Sequence, residues 1–313
     1  MVNIAVAGGT GGIGKAIVEE LARQKKHNVV ILSRKVSRIA DLGIDVLATD
    51  YSDTFNMTEL LKKHNIEIVI SALGLFSPES SQAQLNLINA AIASGTVKKF
   101  IPSEYGIKYT KEMLSFHPAA QWWLDASDAL QKSHLQFTRI ILGWTLDHYG
   151  IPGVPSNMKP FSYAIDFNKR RAAIPGDGTA PVAFLHSRDL AKYIAAMLEQ
   201  DNWSIFSPFA GDRMSWGELL SLAEEVTGTK WEVTYDSVEK LESGEGTVLE
   251  QPEGAMQLPA EALRHLWSEF GVMAVRELMD VTKEGLRNDE FPDITPMTVR
   301  EVVEAAWGND RRA

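Results

Sequence analysis

The chain has 313 residues, 45% hydrophobic and 23% charged, which is enough apolar material for one or two globular domains and gives no compositional sign of disorder. A formal charge of −10 and a pI near 5.3 argue against a nucleic-acid partner, because phosphate backbones demand a basic face. With no cysteine there is no disulfide, thiol nucleophile or thiolate metal site, and the seven scattered histidines lack metal-ligand spacing, so no metal is expected.

Residues 2–7 form an apolar strand that runs into Gly8, Gly9, Thr10, Gly11, Gly12, Ile13 and Gly14, and residues 15–21 continue as an amphipathic helix. The first amides of a helix have no intrahelical partner and carry the positive end of its dipole, so they attract a phosphate. Two phosphate loops compete for these residues. Gly9 to Lys15 satisfies GxxxxGK, but Ala16 stands where a Ser or Thr must hold magnesium. Gly8, Gly11 and Gly14 give GxxGxxG, a variant of the dinucleotide fingerprint at the start of a βαβ pattern. The dinucleotide reading is the one carried forward; the plain alternative is a tight turn.

The second strand, residues 27–32, ends at Ser33, Arg34 and Lys35. An NAD enzyme places an acid at this point for the ribose 2′-hydroxyl; Arg34 and Lys35 instead offer two cations suited to a 2′-phosphate, so NADP(H) is expected. Further strands are read at 44–48, 67–72, 98–102 and 137–141, with helices at 80–94 and 119–132 and a loop through Pro78. The pattern is α/β: a doubly wound Rossmann sheet, parallel, with helices on both faces. Ligands in such sheets sit at the carboxyl ends of the strands, which gathers residues 8–14, Arg34, Tyr51, 71–73 and 102–105 around one crevice.

Residues 143–160, rich in Gly and Pro, read as an ordered loop leaving the sheet, and 171–174 as a short strand before a Pro-Gly-Asp-Gly turn. Residues 181–200 read as a return to the first domain. The remainder reads as mostly helical, with capping boxes at Ser215/Glu218 and Thr298/Glu301, and 237–258 as a mobile polar loop. The expected division is a nucleotide-binding domain over 1–150, with 181–200 returning to it, and a smaller domain over 151–313. No stretch approaches the roughly 18 continuous apolar residues of a membrane span and the first strand starts at residue 2, so no membrane partner and a cytoplasmic location are expected.

The stretches VAGGTGGIG, AAIASGTVKKFIPSEYG (90–106), AIPGDGTAPVAFLHSRDLAKYIAAML (173–198) and GDRMSWGELLSLAEEVTG (211–228) resemble the NmrA-like, isoflavone-reductase-like proteins, which are atypical short-chain dehydrogenase/reductases. WTLDHYGIP (144–152) is similar to fungal members in particular. The resemblance implies an NADP(H)-binding Rossmann domain, a substrate domain of mostly helical character, an active site in the cleft between them and a place in secondary metabolism. By family position it also implies cofactor contacts from Ser71, Ala72, Leu73, Gln84, Pro102 and Ser103.

Ordinary short-chain dehydrogenases use Tyr-x-x-x-Lys, which this chain lacks; Tyr105 and Lys108 are three apart. Reductases that it resembles carry a catalytic Lys in the helix after PSE(F/Y)G, and an ungapped count back from Phe137 puts Asp125 there. Asp125 is then a base, an acid of raised pKa, the mark of lost reductase chemistry, or a solvated helix residue. Tyr105, His117 and Tyr163 are the other proton-transfer candidates, with Lys108, Lys111 and Lys132 nearby in sequence. Trp122, Trp123, Trp144, Tyr149 and Phe161 read either as a stacking surface for a flat substrate or as core.

Three functions follow as expectations. The first is an NADPH-dependent reductase of a small aromatic or polyketide-like substrate. The second is an NADP(H)-binding redox sensor acting on a protein partner without turnover, and the third a non-redox isomerase or cyclase. Monomer and homodimer both remain open.

Overall fold

The computed structural model describes residues 1–34, 43–255 and 258–308. Two compact units emerge, one made of Met1–Tyr105, Tyr109–Ile141 and Leu190–Ser207, the other of Gly106–Lys108, Leu142–Asp189 and Pro208–Ala313.

In the first unit the apolar runs become β1 (Asn3–Ala7), β2 (Asn28–Ser33), β3 (Asp45–Ala48), β4 (Ile68–Ser71), β5 (Lys99–Ile101) and β6 (Gln136–Phe137). They are joined by α1 (Gly12–Gln24), α2 (Thr54–Lys63), α3 (Pro78–Ser94) and α4 (Ala120–Gln131). The six strands pair in parallel in the order β3-β2-β1-β4-β5-β6. Successive residues of β1 point to opposite faces, and both faces are covered: Ala5 and Ala7 join a core with residues of α2, α3 and α4, while Ile4 and Val6 are equally buried on the other side. This is the doubly wound parallel sheet expected from the sequence. Its order reverses between β1 and β4, the switch point where such sheets bind ligands.

Local departures from the sequence reading have local causes. Pro78 is not loop but the first residue of α3, because Ser77 caps that helix and Ser80 closes the box, and Pro costs nothing at this position. The strand expected at 137–141 is two: β6 pairs with β5, and after Thr138 a separate β7 (Arg139–Ile141) begins.

The second unit contains β8 (Trp144–Thr145), α5 (Asp147–Gly150), β9 (Ile165–Asp166), β10 (Arg171–Pro175), β11 (Pro181–Leu185) and α6 (Ser187–Met197), whose residues from Leu190 belong to the first unit. Next is β12 (Phe206–Pro208), which pairs with β7 and whose Phe206 and Ser207 belong to the first unit; then come β13 (Asp212–Ser215), α7 (Trp216–Thr227), β14 (Glu232–Asp236), α8 (Val238–Glu242), α9 (Ala260–Val275) and α10 (Val299–Trp307). Both expected capping boxes are present, at α7 and α10.

Four expectations need correction here. The boundary falls at Ile141 rather than 150, and the returning segment is Leu190–Ser207 rather than 181–200, because β11 pairs with β8 and β13 of its own unit. The second unit matches the first in size rather than being smaller, and it holds two three-stranded sheets beside its helices. Residues 143–160 contain β8 and α5 rather than loop alone. The stretch read as a mobile loop at 237–258 opens with α8, capped by Ser237, and Leu241 and Leu249 are buried. Thr247 and Lys240 both bond to Asp236, so polar residues here tie the chain down.

Candidate functional site

The glycine loop leaves β1 with Gly8 at φ +75°, a left-handed conformation in which a Cβ would collide with the Ala72 carbonyl after β4. A Cβ on Gly14 would collide with the Gly8 carbonyl, so this glycine lets α1 approach the strand ends. Gly11 differs: it caps α1 in extended conformation, makes no side-chain cap and has nothing within 4 Å of where a Cβ would be. The amides of Gly12, Ile13 and Gly14 precede the first intrahelical bond, from Lys15 N–H to Gly11 O, and no acidic residue occupies the first turn. Turn, open approach and close packing are thus divided among Gly8, Gly11 and Gly14 as a bound pyrophosphate requires.

Arg34 follows β2 and is exposed. Tyr51 fixes its neighbourhood: the phenol donates to the Leu32 carbonyl at 3.0 Å, and although burial raises its pKa, the Gly8 amide and the Arg34 charge both pull the other way. A cation therefore stands close to Tyr51 and the glycine loop, and among the described residues no ion pair engages it. Lys35 lies outside the described residues.

A braced layer lies along the ends of β4 and β5. Ser103 is held three ways: its N–H donates to Gln84 Oε1 (2.8 Å), its hydroxyl to Leu73 O (2.8 Å), and its carbonyl accepts from Trp123 Nε1 (2.9 Å). Tyr105 donates its hydroxyl to Ser71 O at 2.8 Å, and burial raises that phenol well above the ordinary tyrosine range. Glu104 and Arg139, both buried, form a bidentate pair at 2.5 Å, with the guanidinium 4.6 Å from the centre of the Phe206 ring. Burial pushes the Glu104 carboxyl up to about 7 against the pull of Arg139 and the Tyr109 amide.

The expected cofactor residues thus fall into two groups. Thr10 and Gly11 are exposed, and Gly12, Ile13, Ala72 and Leu73 are half-buried, so these have surface to give a ligand. Ser71, Gln84, Pro102 and Ser103 are buried, and the side chains of Gln84 and Ser103 brace the loops from behind. Sequence reasoning missed the Glu104–Arg139 pair. A charged residue inside the apolar run 137–141 was the available signal, since a buried charge demands a partner.

On the same unit α4 carries Trp122, Trp123 and Asp125. Trp123 stacks on Tyr109 (4.1 Å between ring centres, 11° between planes), with His117 5.8 Å from Tyr109 and Trp122 6.0 Å from Trp123. His117 is buried; Trp122, Trp123 and Tyr109 are half-buried. Asp125, also half-buried, accepts a 2.6 Å hydrogen bond from Gln121 one turn earlier.

Tyr163 belongs to the second unit, where it is buried among Trp144 (4.8 Å), Phe270 (5.4 Å) and Trp216 (5.5 Å). Burial raises its phenol well above the ordinary range. Trp144 and Tyr149 lie in the same cluster, 8% and 1% exposed, so these two are core rather than a stacking surface. Lys108 pairs with Glu284 at 2.6 Å.

A family model described as NmrA-like matches residues 2–250. Among characterised proteins the chain is similar to oxidoreductase BOA1 of Botryotinia fuckeliana, 39% identical over 74% of this chain and 78% of that one. It is also similar to oxidoreductase swnN of Metarhizium robertsii, 32% identical over 98% of both. Among solved structures, the leucoanthocyanidin reductase–NADPH complex from Vitis vinifera superimposes with a TM-score of 0.73 at 20% identity, over 96% of this chain and 98% of that one, a likeness of fold.

Proposed function

The chain belongs to the NmrA-like family, and on that footing we propose that it is an oxidoreductase that binds NADP(H) at the glycine loop and reduces a small aromatic or polyketide-like molecule. The observation that carries this reading is the open approach at Gly11 above uncapped helix amides, with exposed Arg34 beside it. Fungal relatives named as oxidoreductases support it.

The amides of Gly12, Ile13 and Gly14 would hold the pyrophosphate and Arg34 the 2′-phosphate, whose two anionic oxygens match a guanidinium fork. When bound, the reduced nicotinamide supplies a hydride. Ala72 and Leu73 offer their half-buried backbone beside Gly8, and Ser103 and Gln84 keep that backbone in place. Tyr105 is spent on Ser71 O and is a weakened acid, so it orients the layer instead of delivering a proton. Trp122, Trp123 and Tyr109 are only half-buried, and the aromatic surface they keep suits a flat substrate.

Arg34→Ala should weaken NADPH binding by about 30-fold or more, the worth of a charge-assisted fork, and leave NADH nearly unchanged in a fluorescence titration. Equal loss for both would sink the 2′-phosphate assignment. With NADPH and a panel of aromatic enones and quinone methides, falling cofactor absorbance is expected. NADPH that binds tightly but is never consumed would favour the sensor reading, which the engaged Tyr105 hydroxyl also supports.

A further inference from the structure

A buried ion pair is a poor source of stability, since an apolar pair of the same volume fills a core as well or better, so its worth lies in what it fixes. The side chains of Glu104 and Arg139 are 1% and 6% exposed, too shielded to meet a ligand. Both grip one residue. The Tyr109 N–H donates to the Glu104 carboxylate, and Arg139 Nη2 donates to the Tyr109 carbonyl at 3.4 Å. Gly106–Lys108 belong to the second unit, so Tyr109 is where the chain re-enters the first. The pair holds that point by both of its backbone groups.

The ring of Tyr109 is anchored separately. It stacks on Trp123 at 4.1 Å and 11°, and the Trp123 indole N–H donates to Ser103 O at 2.9 Å. Ser103 in turn holds Leu73 O through its hydroxyl, and Leu73 follows the Ala72 carbonyl that abuts Gly8. Two nearly parallel rings are thus tied at the indole to the layer beside the glycine loop, and at the tyrosine backbone to the ion pair. Both are half-buried and keep surface for a ligand. Contact alone does not fix such a plane, because aromatic pairs accept offset and edge-on arrangements at similar energy. What holds each residue fixes it.

Resting on the reading of this aromatic surface as the substrate's, we propose that Tyr109 determines specificity for a flat substrate and that Glu104 and Arg139 are its positioning residues. The pair sets the backbone of Tyr109, and the backbone sets the plane of its ring against Trp123. A planar molecule continues the stack and gains contact over its whole face. A globular one touches it at a few atoms. Neither charge takes part in bond making.

The test compares two α-diketones of unlike shape, planar 9,10-phenanthrenequinone and globular camphorquinone, by equilibrium dialysis at saturating NADP+. The native protein should hold the planar probe about fivefold to tenfold tighter, the worth of one aromatic stack. Tyr109→Leu should remove most of that preference and leave camphorquinone affinity within about twofold, while Tyr109→Phe, which keeps the ring, should behave as native. Glu104→Gln and Arg139→Lys loosen the grip on the Tyr109 backbone and should lower the planar preference in the same direction, with NADPH affinity unchanged. If neither of these folds, the two Tyr109 variants still decide the specificity role.

A planar preference that survives Tyr109→Leu overturns the inference. So does a folded Glu104→Gln protein that keeps the native preference, or one that loses affinity for both probes and for NADPH alike, as a merely structural pair would. NADPH consumed with camphorquinone by a protein indifferent to shape would overturn it while the reductase reading stands. A planar preference lost in Tyr109→Leu, in a protein that takes up no NADPH, would support it and defeat the reductase reading.

Discussion

The glycine loop of the first unit reads in the sequence as a ligand site and the aromatic cluster of the second as either a ligand-facing surface or core, and the fold leaves room at one and fills the other. At Gly11 nothing lies within 4 Å of a would-be Cβ; at Tyr163 four aromatic neighbours crowd within about 6 Å, and Trp216 is 1% exposed. One site is written in backbone, through turn angles and orphan amides. The other belongs to packing, where aromatic rings satisfy one another and no ligand is needed. Residue type alone therefore separates the two poorly; empty space separates them well.

The sharpest way to break this contrast is to truncate a ring of the cluster. Trp216→Ala should cost about 3–5 kcal/mol, as a buried Trp lost from a packed core does, read as a shifted urea midpoint. A loss below about 1 kcal/mol would mean that the cluster is a loosely packed surface after all.

A titration probes the same core. Burial pushes the His148 imidazole down to about 4, against the pull of Asp147 and its hydrogen bond to the Lys159 backbone. Unfolded, it returns to its ordinary value near 6.5. Between these limits the unfolded chain takes up a proton that the folded one refuses, so this contribution is whole above pH 6.5 and is lost as pH falls toward 4. The loss should reach about 3 kcal/mol. Unfolding free energies measured from pH 7 to 4 should fall more steeply for the native protein than for His148→Gln; parallel curves would refute the assignment.

The glycine loop carries the smallest stability effect and the clearest contrast. Gly14→Ala should destabilise by about 1–3 kcal/mol through its clash with the Gly8 carbonyl. Gly11→Ala should melt within a few degrees of the native protein but bind NADPH more weakly, because its Cβ enters only the space left for the ligand. If the two variants melt alike, the division of roles among the glycines is wrong.

Much of this was legible in the sequence for a physical reason. Periodicity of apolar residues is a local property, and it gave β1 to β5 and the helices α1, α3 and α4 closely, though α2 went unread and the sixth strand was read too far along; the boxes at Ser215 and Thr298 are equally local. The phosphate loop could be read because a backbone site admits almost no residue but glycine at its tight points. What the chain alone left open were the properties that depend on distant partners. Strand β11 looked like part of the first unit until its pairing with β8 and β13 put it in the second. That Gln84 also braces Ser103 through its Oε1 could not be read from the chain.

Asp125 shows the limit most plainly. The sequence determined its position on α4 and the absence of a lysine there. Only the tertiary structure decided that it stands half-buried with a neutral partner. Shielding and missing countercharge arise from segments far apart along the chain, and no local pattern encodes them.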